Sequence, residues 1–192
     1  MTGFSTTSPH GGDPSDEQIL ADLARYLRQG IGQEWRAELE AAEIEIHQHR
    51  LRGRTMRDVA EMLLHRGDLV TLQTGTLHLT GEVMGSGRDY LTMNTENLCV
   101  DARLDRISLR VARRTAGGAE ARGAAPTWRA RLTELEMTQE AVELYAPSLP
   151  EPRKGRIRVV SMDHLWLVEP TGTDCYLPLE ELAVVIRPLP LR

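Results

Sequence analysis

The sequence is poor in three things that usually announce a function class. Cysteine occurs only twice, at Cys99 and Cys175, in different halves of the chain and with no CxxC spacing. That excludes a disulfide framework and a cysteine-ligated zinc site, and leaves both thiols as small buried hydrophobes. No apolar run approaches the roughly 18 residues a membrane span needs, and the start, MTGFSTTSPHGGDPSDEQ, lacks a basic segment followed by an apolar one. The expectation is a cytoplasmic protein. A basic excess is also missing: 23 Lys and Arg stand against 28 Asp and Glu, a formal charge of −5. A surface that coats phosphates generally would need the opposite balance. Only Lys154 is lysine, so nearly all the positive charge is arginine, which suits bidentate contacts to phosphate or carboxylate.

What is present is ordinary globular composition, 41% hydrophobic and 27% charged over 192 residues, enough for one domain or two small ones. Residues 1–14 are rich in Ser, Thr, Gly and Pro and predict a disordered tail. Residues 15–54 predict a helical segment. Ser15 with Gln18 fits a capping box, Ile19, Leu20, Leu23 and Leu27 recur at helical spacing, and Gly30 and Gly32 interrupt before a second helix begins. In that second helix Trp35, Leu39, Ala42 and Ile46 form one apolar stripe among five glutamates, a surface for the protein's own strands or for a partner helix.

Thr55 and Asp58 cap a third helix carrying Val59, Met62 and Leu63, which Gly67 ends. From Asp68 the period changes to two. Five short strands are read between Leu69 and Val111, with breaks at Thr74-Gly75, Gly85-Ser86-Gly87 and Thr95-Glu96-Asn97. Residues 112–126, ARRTAGGAEARGAAP, have linker composition. Beyond them TWRARLTELEM predicts a short helix on Trp128, Leu132 and Leu135, and strands resume at Ala141.

The second run echoes the first. Val70 and Leu72 match Val142 and Leu144; Gly81 and Val83 match Gly155 and Ile157; Asp89, Leu91 and Met93 match Asp163, Leu165 and Leu167; Leu104, Asp105, Ile107 and Leu109 match Leu179, Glu180, Leu182 and Val184. The offset changes only at turns, where length is cheap, and never inside a strand, where a one-residue slip would turn every side chain to the wrong face. Strands this short and glycine-punctuated hide their edges by curling, so the expected fold is α+β: N-terminal helices, then two tandem five-stranded small barrels at 55–111 and 127–192, each led by a short helix.

The spacing Val70, Leu72, Gly75, Gly81, Val83, then Asp89, Leu91, Met93, then Leu104 to Leu109, resembles the Sm-like fold of Sm proteins and bacterial Hfq, and the second half is similar from Gly155 to the closing YLPLEELAVV. The whole layout is also similar to a group of actinobacterial proteins that carry Sm-like barrels. The resemblance implies a bacterial, non-enzymatic binding or assembly module. It does not carry over the family's uracil pocket, because Leu91 and Leu165 stand where a ring is needed and Leu177-Pro178 where a basic residue and His belong.

Chemistry-bearing residues are few. His47 and His49 lie about 200° apart on a helix, which argues against joint metal binding. Asp89 and Asp163 stand at turn-to-strand junctions and read as backbone ties rather than acids or bases. Ser161 and His164 lack a third orienting group, and no phosphate loop or nucleophile elbow occurs, so neither catalysis, a cofactor nor a metal is expected. The sharpest cluster is Arg153, Lys154, Arg156 and Arg158 beside His164 and Trp166, combining charge with rings as single-stranded nucleic acid (RNA or DNA) requires. The competing expectation is a protein-interaction or self-association scaffold that uses the Trp35, Leu39, Ala42 and Ile46 stripe and open strand edges.

Overall fold

The computed structural model describes residues 16–115, 117 and 125–189. The expected tail 1–14, the Ser15 cap and most of the expected linker, residues 116 and 118–124, lie outside the described residues. The chain divides into two compact units, 1–53 and 54–192. The described residues of the first form one helix, α1 (Asp16–Arg52). The two helices expected around Gly30 and Gly32 are therefore one. A glycine costs a helix interior about 1 kcal/mol relative to alanine and does not forbid it.

In the second unit, α2 (Met56–Arg66) starts on Thr55 in the expected capping box with Asp58 and ends at Gly67. It buries Ala60, Leu63 and Leu64, and the two leucines meet Val70 and Val83. Five strands follow: β1 (Leu69–Thr74), β2 (Leu77–Ser86), β3 (Tyr90–Asn94), β4 (Leu98–Arg103) and β5 (Ser108–Arg113). Then come α3 (Trp128–Thr138), β6 (Ala141–Tyr145), β7 (Arg153–Val160), β8 (His164–Val168), β9 (Asp174–Pro178) and β10 (Val184–Pro188).

The two closed barrels expected from the sequence do not form. All ten strands make one open sheet in the order β5-β1-β2-β3-β4-β10-β6-β7-β8-β9. Closing each set on itself would need β5 to meet β4 and β10 to meet β9. Instead β4 pairs antiparallel with β10, from Val184 opposite Ala102 to Pro188 opposite Leu98, and β10 also pairs with β6. The strand order 5-1-2-3-4 nevertheless recurs as 10-6-7-8-9, and small features recur with it. Register slips between Val83 and Gly85 on β2 and between Ile157 and Val159 on β7. The Gly87 amide donates to the Tyr90 carbonyl, and the Ser161 amide to the His164 carbonyl, both at 2.9 Å.

Each half has its own apolar core, and β10 belongs to both. Val185 lies with Trp128, Leu132, Leu144 and Leu165, whereas Val184 and Ile186 lie with Leu72, Leu91 and Val100. A strand buried on both faces reads as an unbroken apolar run, which Ala183-Val184-Val185-Ile186 is. This shifts one expected match: Leu72 opposes Leu109 and Leu144 opposes Val185, so Val185, not Val184, is the counterpart of Leu109.

The expected linker is anchored at both ends. Residues 112 and 113 belong to β5. Thr115 donates its amide to the buried Asp68 carboxylate at 2.9 Å, and the Pro126 carbonyl accepts from the Arg88 amide at 3.0 Å.

Candidate nucleic-acid interface

On β7, Lys154 pairs with Glu143 and Arg156 with Ala141, so both cations stand on the face opposite the buried Gly155 and Ile157. Arg158 does not simply continue that face. It stands where the strand bulges between Ile157 and Val159, exposed beside an exposed Val159, because a bulge sets two residues against one and breaks the alternation. Trp166 on β8 is opposite Val159 on one side and Tyr176 of β9 on the other.

The rings form a trio. Trp166 stacks on Tyr176 with centroids 5.8 Å apart and planes at 25°. His164 tilts onto the same Tyr176 at 5.9 Å and 57°. Tyr176 is 58% exposed. The indole Nε1 donates to Asp174 at 2.9 Å, and His164 Nδ1 shares a 2.7 Å hydrogen bond with Asp163 that holds the Asp163 carboxyl below its usual value. Tyr176 is not among the residues that sequence reasoning picks out. Its alternation with Cys175 and Leu177 puts it on the outer face, but only the β8–β9 register places it against Trp166.

The cations are not equally free. Arg153 lies 3.7 Å from Glu169 and Lys154 3.3 Å from Glu143. Among the described residues Arg156 and Arg158 have no carboxylate in ion-pair range. Arg156 and Lys154 also line a mainly apolar groove of about 650 Å³, with Leu98, Val142, Val168 and Pro188 among its walls.

The remaining candidates resolve structurally. Asp89 accepts from the Trp128 amide at 2.7 Å and so anchors the start of α3. Tyr90, the positional counterpart of His164, is fully buried against Trp128 with ring centroids 6.1 Å apart, and donates to the Ala125 carbonyl at 3.1 Å. Burial pushes its phenol up to about 12. Leu91 and Leu165 are fully buried. Burial also pushes the Cys99 and Cys175 thiols up, which disfavours the reactive thiolate.

Trp35, Leu39, Ala42 and Ile46 lie on α1 and are all exposed, as are His47 and His49. Among the described residues no group of three or more His, Cys, Asp or Glu is placed to hold a metal ion, and no described helix is long and apolar enough to cross a membrane. No protein-family model matches this chain, and none of the curated proteins matches it either.

Proposed function

We propose that this protein is a non-catalytic binding module that holds single-stranded nucleic acid on the outer face of β7, β8 and β9. The observation that carries the reading is the stack of half-buried Trp166 on exposed Tyr176, beside two uncommitted guanidiniums, Arg156 and Arg158. Bases stack on rings whatever their sequence, and arginines set one strand away meet the phosphates between them. A duplex offers no free base faces, so the platform selects single strands. Glu143 and Glu169 neutralise two of the four cations, which limits the charge available and makes the rings the larger contributor.

The test is a filter-binding or anisotropy series with single-stranded RNA and DNA at near-physiological salt. Micromolar binding that duplex of the same sequence does not match supports the reading. Binding no tighter than about 10⁻⁴ M, the weak end of ordinary non-specific affinity, ends it.

A further inference from the structure

Strand pairing puts the floor of the groove beside Arg156 on a single face of the sheet. Ile186 of β10 pairs with Glu143 of β6, Ala141 of β6 with Arg156 of β7, and Arg156 with Val168 of β8. On the other side of β10, Pro188 pairs with Leu98 of β4. Directly paired residues of antiparallel strands share a face, and so do alternate residues of one strand. Leu98, Ala141, Val168, Ile186 and Pro188 therefore line one apolar floor that crosses the joint between the halves.

Backbone, size and charge together select what fits there. β10, β6 and β7 each have a hydrogen-bonded neighbour on both sides, so their amides and carbonyls are already used. A peptide has no free edge to join as an added strand, and a ligand with many polar edges finds few partners. The volume of about 650 Å³ suits a small molecule, whose pockets run from roughly 300 to 1,000 Å³.

Charge fixes the head group. Lys154 lies 3.3 Å from Glu143, Glu169 3.7 Å from Arg153 and Arg187 3.3 Å from Glu140, whereas Arg156 has, among the described residues, no carboxylate in ion-pair range. One cation is left over beside an apolar floor. A carboxylate brings one negative charge and accepts two parallel hydrogen bonds from a guanidinium. A phosphate monoester brings nearly twice that charge, more than Arg156 alone offsets.

We propose that this groove binds a small amphiphilic carboxylate, its apolar tail on the floor and its head group on Arg156. The site is independent of whether the ring platform binds nucleic acid.

Calorimetry with octanoate on the full chain should give one site per chain with a dissociation constant at or below about 300 µM. Decanoate, two methylenes longer, should bind about fivefold tighter or more. Octanol, the same tail without the charge, should bind at least about tenfold more weakly, and Arg156→Gln should bring octanoate to the level of octanol. Ala141→Trp fills the groove and should abolish octanoate binding, with a dispersed amide NMR spectrum to show that it folds. Should it not fold, Arg156→Gln, at an exposed side chain, carries the test. In the wild type, octanoate should shift the amides of Ala141, Arg156, Val168 and Ile186 and leave those of α1, which also exposes apolar side chains, in place. No saturable binding by about 3 mM, octanol equal to octanoate, Arg156→Gln without effect, a folded Ala141→Trp that still binds, or shifts confined to α1 overturns the proposal.

Discussion

A methyl group on Gly155 would run into the carbonyl oxygen of Val168, and one on Gly81 into the carbonyl oxygen of Asn94. Both obstacles are backbone atoms of the neighbouring strand, so neither can swing aside as a side chain would. These glycines let β3 and β8 cross close over β2 and β7 at the equivalent place in each half. Gly155→Ala should lower stability by about 3 kcal/mol, at the upper end of ordinary overpacking, measured by urea unfolding. The opposite face of β7, with β8 and β9, carries the proposed site. Trp166→Ala and Tyr176→Ala should each weaken single-strand binding about tenfold, since a stacked base contributes roughly 1–3 kcal/mol. Arg156→Ala with Arg158→Ala should instead reduce the slope of log affinity against log salt by about 1.4, near 0.7 for each single-strand phosphate that is no longer neutralised. A titration series at several salt concentrations separates the two effects. Arg156, His164 and Trp166 were legible in the sequence because alternation assigns faces. Tyr176 was not, because its neighbour is fixed by pairing between strands, and neither was the placing of Arg158, because a bulge leaves no mark in a run of alternating residues.

The two strands that join the halves depart most from alternation. On β4, Cys99, Val100, Asp101 and Ala102 are all buried, and on β10 so are Val184, Val185 and Ile186. Asp101 is the one charge fully enclosed there. It accepts from Thr92 Oγ1 at 2.6 Å and lies 3.1 Å from Arg131 Nε of α3 and 3.6 Å from Arg187 Nε of β10. Burial opposes the charge on Arg131, and Asp101 more than offsets it, so its pKa rises above the ordinary value. Three elements thus meet on one carboxylate. Asp101→Asn would take the buried anion from two largely buried guanidiniums, leaving Arg131 only Glu134 and Arg187 only Glu140, and should cost about 3 kcal/mol, whereas Asp105→Asn, where the carboxylate itself is exposed, should cost less. Comparing the two by urea unfolding tests whether the joint depends on this carboxylate. The face of β3 beneath α3 gives a pH test. Tyr90 titrates near 10.0 when unfolded and is pushed up to about 12 by burial. Its stabilising burial is fully present below pH 10. It is lost as pH rises from 10 through 12, because the unfolded chain gives up the proton first. Tyr90→Phe should lose about 1 kcal/mol at neutral pH with its bond to Ala125, yet show a shallower fall in stability between pH 10 and 11.5.

In the molecule as a whole, helix α2, helix α3 and the echo between the halves were legible, since capping residues, glycines and period-two patterns are local. The joining of the halves was not, because which edge a strand offers to which other strand is a long-range choice that leaves only indirect marks, here the apolar run at β10. The outcome raises a question the sequence can answer. If β10 closes onto β4 and the halves are alike, β5 of one copy has the same opportunity to close onto β9 of another, and sheets would grow without limit. Pairing with β1 and β6 aligns Ser108 with Val184, Leu109 with Val185 and Arg110 with Ile186. Pairing with β3 and β8 aligns Val100 with Cys175 and Ala102 with Leu177. A copied joint would therefore set Arg110 beside Cys175 and Ser108 beside Leu177, where β10 offers Ile186 to Val100 and Val184 to Ala102. Enclosing an unpaired guanidinium costs several kcal/mol, enough to cancel the pairing. Arg110 on β5 thus disfavours a copied joint. Replacing Ser108→Val together with Arg110→Ile gives β5 the apolar pattern of β10, and light scattering should show this variant growing into assemblies far larger than the wild-type particle at equal concentration. If the double variant keeps the wild-type size, the free edges are held apart by something other than Arg110.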